Sequence, residues 1–239
     1  NRLIEELRQF FKKNTYLQVT ATPQALFLQA GPHAFRPKFT VLSHPGADYV
    51  GGDDFFSDDA ELVREFPLQE ITVLAPGPQP NPTPTIPPSL LRALDTFMVG
   101  ATFKRTAEVD QNCAFLCLVS TKKCDHTHIE GLLRKYKSDL ASDLKARNHR
   151  VVTRLKNAFD DLALTHEGLA GSNFDNLLDA IAFFSPGISV KIVNGDTDED
   201  VAVLSPYNLF VGGNKLGRGV TIKNLLVSYY GRHPRTPQA

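Results

Sequence analysis

At 239 residues, with 26 Lys plus Arg balanced by 26 Asp plus Glu, the chain has no net charge that would by itself attract nucleic acid or a membrane surface. Hydrophobic residues at 42% and charged residues at 22% fit an ordinary globular protein and exclude a disordered one. The longest apolar runs, 114–119 and 225–230, are too short to cross a bilayer, and the charged residues 1–7 lack the apolar stretch of a secretory signal. Three cysteines cannot complete a disulfide framework, so the expected setting is reducing and cytoplasmic, with free thiols.

In chain order, Leu7, Phe10 and Phe11 recur at helical spacing and predict a short helix over 4–12, with Asn14 as its stop. The β-prone run 16–20 predicts a strand that ends in a turn at Thr20-Ala21-Thr22-Pro23, because proline removes a ladder donor. A second strand is expected at 38–42, followed by a glycine-rich surface loop over 45–54. Residues 76–84 hold the densest proline run in the chain and read as a stiff, extended connector. The domain boundary is therefore placed at 76–86, between a first part, 1–75, and a second, 87–239.

Pro87-Pro88-Ser89 opens a helix that carries Leu90, Leu91, Leu94, Phe97 and Met98 and continues to about Lys104. Next come a near-continuously apolar strand at 114–120, a helix over about 127–147 and a second helix over 173–183. Further strands are expected at 189–193, 208–211 and 225–230. Buried strands that alternate with helices argue for an α/β fold with a parallel sheet from about Asn112 onward.

The stretch richest in candidate chemistry is 211–221. Its glycines let backbone amides approach a phosphate closely, and Arg218 is a cation placed after a strand. Gly212 and Gly217 have the spacing of a P-loop, but Arg218-Gly219 stand where that loop requires a lysine and a hydroxyl residue, so the P-loop reading fails. A glycine-rich turn without ligand chemistry is the competing account. Ser120, Thr121 and Lys122 end the first strand of the second part and offer hydroxyl and ammonium groups to a nucleic-acid backbone. A basic run at Arg134, Lys135, Lys137, Lys145, Arg147 and Arg150 reads more simply as a solvated helix face.

Two metal readings also arise. Cys113, Cys117, Cys124, His126 and His128 are zinc-type ligands, but two of the cysteines fall on a buried strand rather than in a knuckle turn. Asp53, Asp54, Asp58, Asp59 and Glu61, and a second acidic run at 196–200, are dense enough to invite a divalent cation, yet solvated loops explain them better. No resident metal is expected.

Thr20-Ala21-Thr22, together with Arg218-Gly219 and Thr221, resembles the motifs of superfamily two helicases. The tripeptide there couples ATP hydrolysis to nucleic-acid binding, and the Arg-Gly pair meets nucleotide and nucleic acid from the second RecA-like domain. More narrowly, the chain resembles the bacterial Z-one domain family of proposed endonucleases. The resemblance rests on 20–23, on Pro45-Gly46 with 49–52 and Phe55-Phe56, on 88–90, on 212–221 and on 229–232.

That resemblance implies a RecA-like sheet flanked by helices in 87–239, cut before its last motif, with 1–75 as the remnant of a preceding RecA-like domain. It implies coupling residues Thr20, Ala21, Thr22 and Pro23, and nucleotide-binding residues Gly212, Gly213, Asn214, Arg218, Gly219 and Thr221. Nucleic-acid contacts would fall at Ser120, Thr121 and Lys122. The parent would be an ATP-dependent helicase or translocase of a restriction or defence system, using ATP, Mg2+ and nucleic acid, DNA foremost, with a partner ATPase or nuclease. The present chain, without a Walker A loop or the final arginine-rich motif, would be inactive as an ATPase and hold no bound cofactor. A metal-dependent endonuclease that uses the acidic loops and a non-catalytic RecA-like scaffold are the alternatives.

Overall fold

The computed structural model describes residues 2–20, 37–44, 46–47, 49–57, 62–78, 85–108, 111–193, 201–213, 216 and 220–231. Packing divides the chain into two compact units, one of 1–57 with 234–239 and one of 58–233.

Among the described residues the first unit holds two short helices, α1 (Arg2–Gln9) and α2 (Gly52–Phe56). Its strand-prone stretches 16–20 and 38–42 form no strand, and their apolar side chains lie open, Val19 at 91% and Val41 at 81% exposure. The expectation of strands there is corrected. β-propensity expresses packing on a pleated, half-buried surface, and among the described residues neither stretch has a strand to pair with. The expected glycine loop instead turns into α2, where Asp54 closes the first turn by accepting the Gly51 amide at 2.7 Å.

The second unit begins with α3 (Gln69–Leu74) and α4 (Pro88–Ala107), then β1 (Cys113–Leu118). Four helices follow, α5 (Lys123–Lys145), α6 (His149–Ala163), α7 (Glu167–Ala170) and α8 (Phe174–Phe184), the last running into a 3-10 turn. The strands β2 (Ile188–Val193), β3 (Tyr207–Gly212) and β4 (Leu225–Tyr230) complete a four-stranded, all-parallel sheet of order β2-β3-β1-β4. The chain is thus an α/β protein. Phe66, Ile71 and Leu74, which lie before the proline-rich run, pack into the core of this unit, so the packing division falls ahead of that run.

β1 is buried on both faces along its whole length, as a central strand of a parallel sheet must be. Cys113, Phe115, Cys117 and Val119 face the helices, with α4 against β4 and β1 and α5 against β2 and β3. Ala114, Leu116 and Leu118 face the other way, where Phe210, Val193, Leu216 and the extended 201–203 and 220–222 segments close over them. Among the described residues this second face carries no long helix.

α4 is apolar nearly all round because α6 covers the side that the sheet does not. The separate helix α6 was not foreseen between the two that were. Its signals are an Asn148 cap that accepts the Arg150 amide at 3.0 Å, and Val151, Leu155 and Phe159 at helical spacing. Arg147, at φ 47°, takes the left-handed conformation that separates it from α5.

A carboxylate is buried where three of these helices meet. Asp95 of α4 is 2% exposed and accepts Arg154 Nε at 2.8 Å, Arg154 Nη2 at 3.3 Å and the Tyr136 hydroxyl at 2.8 Å, so it ties α4, α5 and α6 together. Burial pushes its carboxyl above the ordinary value, only partly offset by the Arg154 guanidinium and the Tyr136 hydroxyl.

Asp95→Ala leaves the fully buried Tyr136 hydroxyl without its acceptor and should cost about 2–3 kcal/mol in chemical denaturation. Tyr136→Phe should then cost less in that background than in the wild type; strictly additive losses would contradict the network. Because the folded carboxyl binds its proton more tightly than the unfolded one, the stability of the wild type relative to Asp95→Asn should fall as pH rises from the ordinary carboxylate range through the raised value. A pH-independent difference would count against a buried, titrating Asp95.

Candidate functional site at the carboxyl edge of the sheet

β1 and β3 are neighbours with parallel register, Cys117 opposite Val211. The chain leaving β1 enters α5 on the helical face, whereas the chain leaving β3 passes Leu216, Val220 and Ile222 on the opposite face. Adjacent parallel strands whose connections depart to opposite sides leave a crevice beyond their carboxyl ends, which is where open α/β sheets bind ligands.

The β1 side of that crevice is a tight turn of 119–122 into α5. Ser120 Oγ donates to Asp125 Oδ2 at 2.5 Å and accepts the Lys122 amide at 3.1 Å. The His126 ring donates from Nε2 to the Ser120 carbonyl at 2.8 Å, because a carbonyl can only accept. Asp125, 1% exposed in the first turn of α5, also accepts the Gly77 amide at 2.9 Å. Its charge is met by these donors and by the helix N-terminus, so it serves as a clamp rather than a free carboxylate. Thr121, Lys122 and Lys123 stay exposed above it.

The β3 side is built by two glycines that nothing larger could replace without movement. A Cβ on Gly212 would sit 2.6 Å from the Val193 carbonyl oxygen and 2.6 Å from Leu216 Cδ1. One on Gly213 would sit 3.3 Å from His126 Cε1 and 3.5 Å from the Ser120 carbonyl oxygen. The end of β3 therefore lies against both the β1–α5 turn and the end of β2.

Of the residues singled out in the sequence, Ser120, Thr121 and Lys122 are brought together with Gly212 and Gly213. Thr221 is exposed in the segment between β3 and β4. Thr20 is exposed in the first unit. Ala21, Thr22, Pro23, Asn214, Arg218 and Gly219 lie outside the described residues, as do Asp58, Asp59, Glu61 and 196–200. Asp125 and Gly77 were missed, although an acidic residue in the first turn after a strand is a signal of helix capping.

The same edge is braced at β4. Ser89 donates its hydroxyl to the Glu70 carboxylate and its amide to Glu70 Oε2 at 3.0 Å, while the Tyr229 hydroxyl donates to Ser89 Oγ at 2.6 Å. Phe66 stacks on the Tyr229 ring at 4.5 Å, and burial pushes the Tyr229 hydroxyl up to about 12. Glu70 thereby caps α4 from outside the helix, a role that no local residue fills.

The zinc-type residues do not converge. Cys113 and Cys117 point into the core, where burial raises the Cys117 thiol to about 12, while Cys124 is exposed. His128 donates to the Val73 carbonyl at 3.0 Å. Among the described residues no three His, Cys, Asp or Glu side chains gather closely enough to hold a metal. In the basic run, Arg134 pairs with Glu130, Lys135 with Asp139 and Arg147 with Asp179, and Lys137 donates to the Ile188 carbonyl at 2.6 Å. Each of these four cations has a partner within the chain. No described helix is long and apolar enough to cross a membrane.

Sheet and crevice define an α/β protein with a ligand edge of the open-sheet kind. The sequence profile of the Z1 domain matches residues 89–238, more than half of the chain, and the chain belongs to the Z1 domain family. The match starts at the second residue of α4 and takes in the whole sheet. No curated protein and no solved structure is significantly similar to the chain.

Gly212→Ala should lower thermal stability by the equivalent of about 1–3 kcal/mol, because the new methyl meets a backbone carbonyl that cannot rotate away. Gly213→Ala should cost less, its nearest neighbour being the edge of an imidazole ring. Equal melting of Gly212→Ala and wild type would show that β3 does not approach β2 so closely.

Proposed function

We propose that the crevice between β1 and β3 receives phosphate groups of nucleic acid and nucleotide, and that the chain is part of an ATP-driven helicase or translocase acting in a bacterial restriction or defence system. One observation carries the reading. The hydroxyl and ammonium groups at 120–122 and the glycine pair 212–213 converge at the one described pair of neighbouring strands whose connections leave to opposite faces. Exposed Thr121 and Lys122 offer a donor and a positive charge, and the backbone at the start of α5 adds the partial charge of a helix N-terminus.

Resemblance supplies the rest of the reading. Thr20, Ala21, Thr22 and Pro23 would couple hydrolysis to nucleic-acid binding, and Asn214, Arg218, Gly219 and Thr221 would complete the nucleotide side of a RecA-like cleft. ATP with Mg2+ would sit between this domain and a second one, which would provide the Walker A lysine and the magnesium-binding carboxylate. Nothing between residues 1 and 239 has the Walker A pattern, so the chain alone is not expected to turn over ATP. The nuclease alternative loses support at Asp54, whose carboxylate caps α2.

Lys122→Glu tests the interface without touching the core, since the side chain is exposed and the hydrogen bonds of Lys122, its amide to Ser120 Oγ and its carbonyl from the His126 amide, are made by its backbone. Fluorescence anisotropy with a single-stranded oligonucleotide should show at least tenfold weaker binding and a salt slope reduced by about one ion. Unchanged affinity and slope would remove the crevice from nucleic-acid binding. Oligonucleotide-stimulated ATP hydrolysis by the purified chain would overturn the division of labour between domains.

A further inference from the structure

α4 and α6 line a groove of about 440 Å³, within the 300–1,000 Å³ typical of small-molecule sites. α4 supplies Leu91, Arg92 and Thr96, and α6 supplies Arg154, Asn157 and Ala158. The walls are apolar at Leu91 and Ala158, and the polar lining consists of the Arg92 and Arg154 guanidiniums, the Asp95 and Asp161 carboxylates, and the Thr96 and Asn157 side chains.

Arg154 is the fixed element. Its Nε and one Nη2 hydrogen are held by the buried Asp95 carboxylate, which leaves both Nη1 hydrogens and the second Nη2 hydrogen available from a guanidinium whose orientation is already set. Ordering an arginine before a ligand arrives removes part of the entropy cost of binding.

Arg92 is the uncompensated element. Among the described residues it has no hydrogen-bond or ion-pair partner, whereas the other charges nearby are matched: Asp95 with Arg154, and Asp161 with Arg64 at 3.3 Å. Of the charges that line the groove, Arg92 is thus the one without a partner among the described residues, and it shares the groove with an oriented guanidinium and an apolar wall.

We infer that this groove is a binding site for a compact organic oxyanion, a carboxylate or a phosphate monoester attached to an apolar body, with Arg92 and Arg154 gripping the anion and Leu91 and Ala158 covering the body. Paired guanidinium forks match the planar or tetrahedral oxygens of such a group, and the volume suits a small molecule. The site is independent of the crevice between β1 and β3 and stands whatever that crevice binds.

The test uses the whole chain, labelled with 15N, titrated separately with benzoate, phenyl phosphate and the neutral isostere benzamide. Saturable amide shifts at Arg92, Thr96 and Asn157 with benzoate or phenyl phosphate, and none with benzamide, are the expected result; whichever anion saturates identifies the source of the oxyanion. Arg92→Gln should raise the dissociation constant at least tenfold. Arg150→Gln, which removes the same charge from an exposed position elsewhere on α6, should change it less than twofold. The inference is overturned by the absence of saturable binding of either anion, by equal response to benzamide, or by equal losses from the two arginine variants.

Discussion

Everything in the second unit is positioned by the burial of β1. Its six residues are covered on both faces and bonded to strands on both edges, so it can move neither along nor across the sheet without exposing apolar side chains. At roughly 1.5–3 kcal/mol for each fully buried large apolar side chain, Phe115, Leu116 and Leu118 alone make any such slip prohibitive. A fixed strand has a fixed carboxyl end. The turn at 119–122 and the start of α5 are thereby held against the end of β3, and the crevice follows from that constraint.

Polar clamps make the edge specific. Asp125 and His126 fold the β1–α5 turn back on Ser120, and Gly77 is drawn in from the proline-rich segment before α4. Glu70, Ser89 and Tyr229 do the same for the start of α4 at the outer strand. In both networks a buried or half-buried carboxylate accepts from a serine hydroxyl and a backbone amide, so each negative charge is matched locally. Asp95 differs: it lies inside the helical layer, its charge met by Arg154, and it orients that guanidinium toward a groove of its own.

The sequence made the second unit legible because its elements carry strong periodic signals. The apolar runs at 114–120 and 225–230 read as strands, and Pro88 at the first helical position marked α4. The helix α6 was hidden because its charged outer positions merge with those of α5, and only the left-handed Arg147 and the Asn148 cap separate the two. Residues 16–20 and 38–42 misled for the opposite reason. Their β-branched and aromatic content signals a surface to be packed, and no strand stands beside them among the described residues. At the site, Ser120, Lys122 and the glycine pair were readable as residue types with suitable chemistry. Asp125, Glu70 and Tyr229 were not, since each acts through a partner between 5 and 140 positions away, and only the fold brings such pairs together.

Photo-cross-linking of a single-stranded oligonucleotide carrying 4-thiothymidine, with the attachment points mapped by peptide mass spectrometry, tests the account most directly. Cross-links concentrated at 120–123 and 212–213, and competed away by unlabelled oligonucleotide, are the result predicted. Cross-links concentrated instead on the outer face of α5, at Arg134, Lys135 and Lys145, with none at the carboxyl edge of the sheet, would contradict the assignment of the crevice as the nucleic-acid site.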